Sequence, residues 1–143
     1  MKPRFTPLDS MESYLKSENG KTATRRLSQY IPEMELEFQR IKKAIPFELT
    51  EEALLKYVDF DELRPKLQVD INISGILVDF DPVNWIEGLE LLDGIRKHQD
   101  INNIKACKLI TLIIKRNSQE SGYFDKEIKK GTFVWLLKNL SQE

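Results

Sequence analysis

The sequence predicts a mainly α-helical fold, a compact single-domain helical bundle of six to eight short helices over residues 1–143. Three observations support this prediction. Apolar residues recur at helical spacing in the segments 34–45, 85–92 and 104–114. Residues that start or stop helices separate these segments. The chain is also long enough to bury one core without disulfides or a structural metal.

The first thirty residues predict a loose arm and two short helical pieces. Residues 1–7 contain two prolines, which remove backbone donors and favour an extended chain, so we expect a loose N-terminal arm. Asp9 or Ser10 can cap a short helix, and Asn19-Gly20 is predicted to end it. Another turn or two of helix is expected over residues 24–31.

A stronger helix is predicted from Pro32 to the stop at Pro46, because proline is well tolerated in the first turn of a helix. Its apolar face consists of Met34, Phe38, Ile41 and Ile45. Thr50 is expected to cap the next, brief helix.

The middle of the chain leaves two readings open. Residues 59–67 predict a second short helix or an irregular turn. The segment 69–73 alternates with period two, so a minor β-hairpin near residues 69–78 is an alternative to helix. Asp81-Pro82 then predicts a helix start, with an apolar face formed by Trp85, Ile86, Leu89 and Leu92 and an end at Gly94.

The last forty residues predict a wide apolar helix followed by two shorter ones. The segment 104–114 is apolar on most sides, which indicates burial among several neighbours. Gly122 and Gly131 bracket one short helix, and residues 132–140 form the next. Both glycines are interpreted as left-handed caps, and most of the aromatic side chains Phe124, Phe133 and Trp135 are expected in the core.

This C-terminal pattern resembles a known family. Ile113-Ile114-Lys115-Arg116, Gly122, Gly131 and the closing segment 132–140 are similar in spacing to the C-terminal signature of domain of unknown function 6508, an uncharacterised family of bacterial and phage-borne proteins. Asp79 to Trp85 with Gly88 resembles that family's aromatic segment, so the resemblance covers roughly residues 76–140. Members carry an Arg-Phe pair where this chain has Ser118-Gln119. The resemblance implies a helical fold and brings no activity with it.

The composition of the chain indicates the cellular compartment in which we expect the protein. The single Cys107 allows no disulfide framework, the longest apolar run is far shorter than the roughly 20 residues of a membrane span, and the N-terminus lacks an apolar signal core. We therefore expect a cytoplasmic protein that does not enter a membrane. Its oligomeric state is left open.

Charge is unevenly distributed along the chain. Residues 1–47 carry a net +3, residues 48–100 a net −8 and residues 101–143 a net +4, which sum to −1. Two interpretations are open: the basic ends pair with the acidic middle inside the fold, or the charged faces steer partners of opposite sign.

The sequence contains few side chains that are suited to catalysis. His98, the only histidine, is expected to be a solvated surface residue, and Cys107 lies in an apolar helix where a reactive thiolate is disfavoured. The acidic pairs Asp59-x-Asp61 and Asp79-x-Asp81 can bind magnesium, but Asp61 and Asp81 also suit helix caps. We predict no enzyme activity, no cofactor and no metal site.

The predicted function is non-enzymatic binding of another macromolecule, most simply a protein, by an adaptor or inhibitor of phage or mobile-element type. Nucleic-acid binding through a basic helical face within residues 105–130 is the alternative, because four of its cations fall within an arc of about 100° on one helix. Core packing is the favoured position for each aromatic, and Trp85 is the one best suited to the alternative, a partly exposed rim where interface anchors occur. The candidate binding surface is Lys105, Lys108, Lys115, Arg116, Lys126 and Trp85.

Overall fold

The computed structural model describes residues 3–45 and 49–140, most of which are helical. The elements in chain order are β1 (Phe5–Pro7), α1 (Leu8–Lys16), α2 (Glu18–Ser28), α3 (Tyr30–Ala44), α4 (Glu51–Tyr57), α5 (Leu63–Ser74), β2 (Leu77–Asp79), α6 (Ile86–Leu92), α7 (Asn103–Gln119), α8 (Tyr123–Lys129) and α9 (Thr132–Leu140). Only Gln29, itself in right-handed helical conformation, separates α2 from α3, so these described segments count as eight helices when those two are joined. The predicted mainly α-helical fold is confirmed.

Helix α7 is the centre of the molecule. Asn102 caps its start by accepting the backbone N–H of Lys105 at 2.8 Å. Eight of its residues, Ala106, Cys107 and 109–114, are buried, and α9, α8, β2 and α6 pack around it. Each fully buried Leu or Ile there stabilises the fold by about 1.5–3 kcal/mol. The predicted wide apolar helix is confirmed, and Phe124, Phe133 and Trp135 lie in the core beside it.

The first strand corrects the prediction of a loose arm over residues 1–7. Phe5–Pro7 pairs in parallel with Leu77–Asp79, in the register Phe5 to Leu77 and Pro7 to Asp79. The hydroxyl of Thr6 also donates to the carbonyl of Gly75 at 2.7 Å. The proline pattern indicated extension correctly, but extended chain can add to a strand edge as readily as it can remain free.

The alternative of a β-hairpin near 69–78 is wrong. Residues 69–73 belong to α5, and only residues 77–79 form a strand, whose partner is β1. Leu67 and Ile71 are fully buried while Val69 and Ile73 are exposed, because a spacing of four places the first two on one helical face. The apparent period of two therefore reflected one buried residue between two exposed ones.

Asn19-Gly20 does not end a helix, which is a second correction. Ser17 separates α1 from α2 and accepts the backbone N–H of Gly20 at 3.1 Å, so Asn19 and Gly20 lie in the first turn of α2. A Cβ atom at position 20 would approach the carbonyl oxygen of Tyr14 to 1.9 Å. The glycine serves the close approach of two helices rather than a helix end.

Asp81-Pro82 does not start a helix either. The carboxylate of Asp81 accepts the backbone N–H of Val83 at 3.0 Å, which forms a local turn, and α6 begins only at Ile86. Aspartate followed by proline is common to turns and helix starts, and the turn prevails here.

Several local predictions are confirmed. Thr50 caps α4 by accepting the N–H of Ala53 at 3.1 Å. Met34 and Ile41 are buried on α3, with Phe38 and Ile45 packed against the core. The predicted stop at Pro46 lies outside the described residues. None of the described helices has the length and apolar character that crossing a membrane requires.

Candidate functional site

A groove of about 360 Å³ lies between the turn after β2, helix α6 and the second half of α7. Its lining is mainly apolar and consists of Pro82, Val83, Leu89 and Leu112 together with the polar residues Lys115, Arg116 and Gln119. The four lining residues from α7 are spaced at three, one and three, so they follow one face of that helix. We call this feature the α6–α7 groove.

Large apolar side chains lie exposed on the α6 side of the groove. Val83 is 79% exposed, Ile86 68% and Leu89 46%. Helix α6 buries its opposite face, formed by Gly88, Leu91 and Leu92, against the core. The helix is therefore apolar on two sides, and only one of them is covered by the described part of the chain.

Trp85 positions α6 over α7. Its ring lies so close to the helix that a Cβ atom at Gly88 would approach it to 2.4 Å. The ring also meets Phe80 edge to face, with centroids 5.6 Å apart. Trp85 is half-buried and packs against the core, and Phe80 packs beside it.

Three cations of α7 are held by aromatic faces. The ammonium group of Lys108 lies 4.2 Å from the ring centre of Trp85. That of Lys115 lies 5.4 Å from the ring centre of Phe5 and donates to the carbonyl of Phe80 at 2.8 Å. The guanidinium of Arg116 lies 4.6 Å from the ring centre of Tyr123. Cation–π contacts of this kind fix the direction of a charge without neutralising it.

Burial lowers the pKa of Lys108, with a further lowering from Lys105 and an opposing effect from Glu87. Burial likewise raises the pKa of Tyr123 to about 12, so its ring stays neutral beneath Arg116 at physiological pH. Within residues 3–45 and 49–140, no carboxylate lies within 4.0 Å of the charged groups of Lys108, Lys115 or Arg116.

The other members of the predicted binding surface are placed differently. Lys105 pairs with Glu87 at 3.2 Å, which joins the basic helix to the acidic middle of the chain. Lys126 is exposed on α8 and does not line the α6–α7 groove. The predicted basic face is thus divided: Lys115 and Arg116 line the groove, Lys108 covers Trp85, and Lys105 is neutralised.

Sequence reasoning missed the exposed apolar residues. It grouped Ile86 and Leu89 with Leu92 on one apolar face, but of these three only Leu92 is buried. The signal was present: α6 contains four large apolar residues in seven positions, Ile86, Leu89, Leu91 and Leu92, which is more than one face of a two-turn helix can bury.

His98 is not the solvated surface residue that was predicted. Its backbone is in the left-handed region, with φ of 58°, and its ring stacks on Trp135 with centroids 4.7 Å apart. Its Nε2 atom is buried and has no hydrogen-bond partner among the described residues. A neighbouring aromatic ring from α9, distant in sequence, outweighed the polar surroundings that indicated a surface position.

The acidic pairs serve local turns. Asp59 accepts the backbone N–H of Asp61 at 3.0 Å, and Asp81 accepts that of Val83. Cys107 is buried, as predicted, and burial raises the pKa of its thiol. Among the residues with described positions, no group of three or more His, Cys, Asp or Glu side chains is arranged to hold a metal ion.

Comparison with known protein families identifies the family to which the chain belongs. It belongs to a family of unknown function, DUF6508, whose family model matches residues 20–143. The match confirms the resemblance and extends it from roughly 76–140 into the first half of the chain. No curated protein and no solved structure matches the chain.

Proposed function

We propose that this protein acts by binding another protein, and that the α6–α7 groove with the neighbouring exposed face of α6 is its binding surface. The observation that carries the proposal is the exposure of Val83, Ile86 and Leu89 beside the groove. Isolated exposed apolar residues are ordinary, but three at neighbouring positions beside a concave surface are typical of an interaction site.

The surroundings of this patch support the proposal. Trp85 and Phe80 form a packed aromatic base, on which α6 rests. The cations at the rim are held in place before any partner arrives, so little side-chain entropy is lost when they form a contact. Apolar centre, aromatic support and arginine at the edge are the features common to protein interfaces.

The function we propose is non-enzymatic, because Cys107 and His98, the two side chains best suited by type to catalysis, are in unsuitable surroundings. Cys107 is enclosed in the core and its raised pKa keeps it as a thiol. His98 is stacked on Trp135. Burial lowers the pKa of its imidazole, and the positive charges of Lys97 and Lys130 lower it further. A cytoplasmic adaptor or inhibitor of phage or mobile-element type is the role we propose within this class.

Nucleic-acid binding is the second candidate. Lys108, Lys115 and Arg116 favour it, since they carry uncompensated charge on one helix. Two features weigh against it: Lys105 is already paired with Glu87, and the exposed Asp79 and Asp81 lie on the segment leading into the groove, where they repel phosphates. The exposed apolar residues also have no role in phosphate contact.

The test is a matched pair of variants, Leu89→Asp at the groove and Ile95→Asp as the control. Ile95 is 99% exposed, more than Leu89, and does not line the groove. A partner isolated with the wild-type protein from its host is purified and titrated against all three proteins. We expect Leu89→Asp to weaken binding at least tenfold, about 1.4 kcal/mol, and Ile95→Asp to bind like wild type.

Equal affinity of the Leu89→Asp and Ile95→Asp variants would contradict the proposed surface. Thermal unfolding of each variant serves as the control for folding. The nucleic-acid alternative is measured separately with labelled duplex and single strands. We expect no binding at physiological salt, whereas submicromolar affinity that Lys115→Glu removes would favour the second candidate.

A further inference from the structure

Resting on the proposed function, we infer that the α6–α7 groove selects a partner segment that is both amphipathic and acidic. Its apolar side chains cover Val83 and Leu89, and its carboxylates meet Lys115 and Arg116. This names the chemical class of the partner, which the proposed function leaves open.

Several cations of the fold are paired with carboxylates, whereas Lys115 and Arg116 at the groove are not paired with any carboxylate of the described residues. Lys105 lies 3.2 Å from Glu87, Arg96 lies 3.2 Å from the same carboxylate, and Lys130 lies 3.0 Å from Glu127. Lys115 and Arg116 have no such partner among the described residues, although the segment before the groove is acidic. Of the two other cations of α7, Lys105 is paired with Glu87 and Lys108 lies over the ring of Trp85, so the cations that line the groove are Lys115 and Arg116.

Lys115 and Arg116 also keep N–H donors that are not used in hydrogen bonds to the described residues. An ammonium group has three N–H donors, and that of Lys115 uses one on the carbonyl of Phe80. A guanidinium has five, and that of Arg116 makes one long contact of 3.4 Å with the hydroxyl of Tyr123. Both groups line the groove, so an incoming carboxylate finds donors whose position is already set.

The groove wall that α7 forms has its apolar residue before its charged residues. Leu112, Lys115, Arg116 and Gln119 follow one face of α7 over two turns, a length of about 10 Å. An apolar residue thus comes one turn before the two cations. A partner segment that lies along this wall matches the wall if it carries an apolar side chain about one helical turn from a carboxylate. Val83 and Leu89, on the other side of the groove, cover the apolar face of that segment.

A peptide suits this wall better than a polyanion does. Nucleic acid carries one charge at every phosphate, whereas the groove lining has only two cations among the described residues, Lys115 and Arg116, beside a larger apolar surface. One or two carboxylates among apolar residues match both the cations and the apolar part of the lining. The observations therefore favour an acidic amphipathic peptide segment.

The experiment is selection from a random peptide library of about 15 residues per peptide, displayed and panned on the wild-type protein. Parallel selections use Leu89→Asp, the double variant Lys115→Glu/Arg116→Glu, and the control Lys66→Glu, which changes an exposed lysine outside the groove. We expect wild type and Lys66→Glu to enrich peptides with Asp or Glu about one turn from Leu, Ile or Phe. The double variant should enrich Lys or Arg at those positions.

A second measurement needs no variant of the protein. An enriched peptide is synthesised with its Glu and Asp residues intact and with each changed to Gln or Asn. We expect each change to weaken binding to wild type by up to about fivefold, the upper end of the range for exposed ion pairs. Raising the salt concentration should reduce the difference between the two peptides, since exposed charges are screened.

The outcomes separate this inference from the proposed function. Peptides that depend on Leu89 but show no acidic preference would overturn the inference and leave the protein-binding groove in place. Peptides that bind Leu89→Asp as well as wild type, or no enrichment at all, would overturn both. Acidic peptides that depend on Leu89 and lose affinity on conversion to Gln support both.

Discussion

The hydroxyl oxygen of Thr111 on the central helix accepts the backbone N–H of Val78 at 2.8 Å, across 33 residues of sequence. The same hydroxyl donates to the carbonyl of Cys107 at 2.8 Å, one turn earlier in α7. Strand β2 is therefore paired with β1 along one edge and is also hydrogen-bonded to the side chain of Thr111 on α7, against which it packs. The contact is buried, so water cannot replace it.

Replacement of Thr111 by Val should expose the value of this hydrogen bond. Val keeps the volume but removes the acceptor, so the buried N–H of Val78 loses its partner and the free energy of unfolding should fall by about 1–3 kcal/mol. Urea denaturation measures the loss. Thr111→Ser, which keeps the hydroxyl and loses one methyl group, is the control. Hydrogen exchange of the Val78 amide should accelerate in the Val variant only, and equal exchange in both would contradict the assignment.

Gly131 is a left-handed cap, as predicted, with φ of 88°. The nearest side-chain atom to a Cβ built there is 4.0 Å away, in the ring of Phe38, so a substitution meets backbone strain and no collision. Gly131→Ala should therefore destabilise the protein by about 1 kcal/mol. Gly131→Asn should cost less, because asparagine tolerates this conformation. Equal stability of wild type and the Ala variant by thermal unfolding would refute the cap.

Cys107 should behave as a buried, unreactive thiol. It is fully buried on α7, and burial raises the pKa of its thiol, so little thiolate forms at neutral pH. Labelling with a disulfide reagent should be slow in the native protein and fast in denaturant. A native rate close to the denatured one would show that the core opens readily around α7.

His98 should make stability depend on pH near neutrality. Burial lowers the pKa of its imidazole below the ordinary 6.5, with further lowering by Lys97 and Lys130 and an opposing effect from Asp93. As the pH falls through about 6.5, the unfolded chain binds the proton first, so the free energy of unfolding decreases until the folded-state pKa is passed.

The comparison variant is His98→Asn, because asparagine tolerates the left-handed backbone and does not titrate. His98 is the only histidine of the chain, so the variant lacks the one side chain whose ordinary pKa lies in this pH range. Chemical denaturation between about pH 7.5 and 5.5 should show a larger loss of stability for the wild type than for the variant. Parallel curves would mean that His98 is solvated in the folded state.

Local patterns predicted what local forces decide. The cap at Thr50, the buried face of α3, the central position of α7 and the left-handed Gly131 all depend on residues within a few positions of one another. Each of these was therefore readable from spacing and residue type alone.

The features that were missed depend on distant residues. Strand β1 forms only because residues 77–79 offer an edge, and His98 leaves solvent only because Trp135 lies beside it. At the groove, the positions of Lys108 and Lys115 depend on the rings of Trp85 and Phe80, which no helical periodicity indicates. Sequence reasoning therefore identified the cations of the candidate site but not the apolar surface beside them.

The parallel pairing of β1 with β2 also affects a fragment that contains only the residues matched by the family model. The family match begins at residue 20, so it includes β2 but leaves out β1. A fragment cut at that boundary would present the backbone of residues 77–79 as an unpaired edge, with the buried Leu77 and Val78 beside it. Such edges recruit strands from other molecules, so the truncated fragment should self-associate at concentrations where the full chain does not.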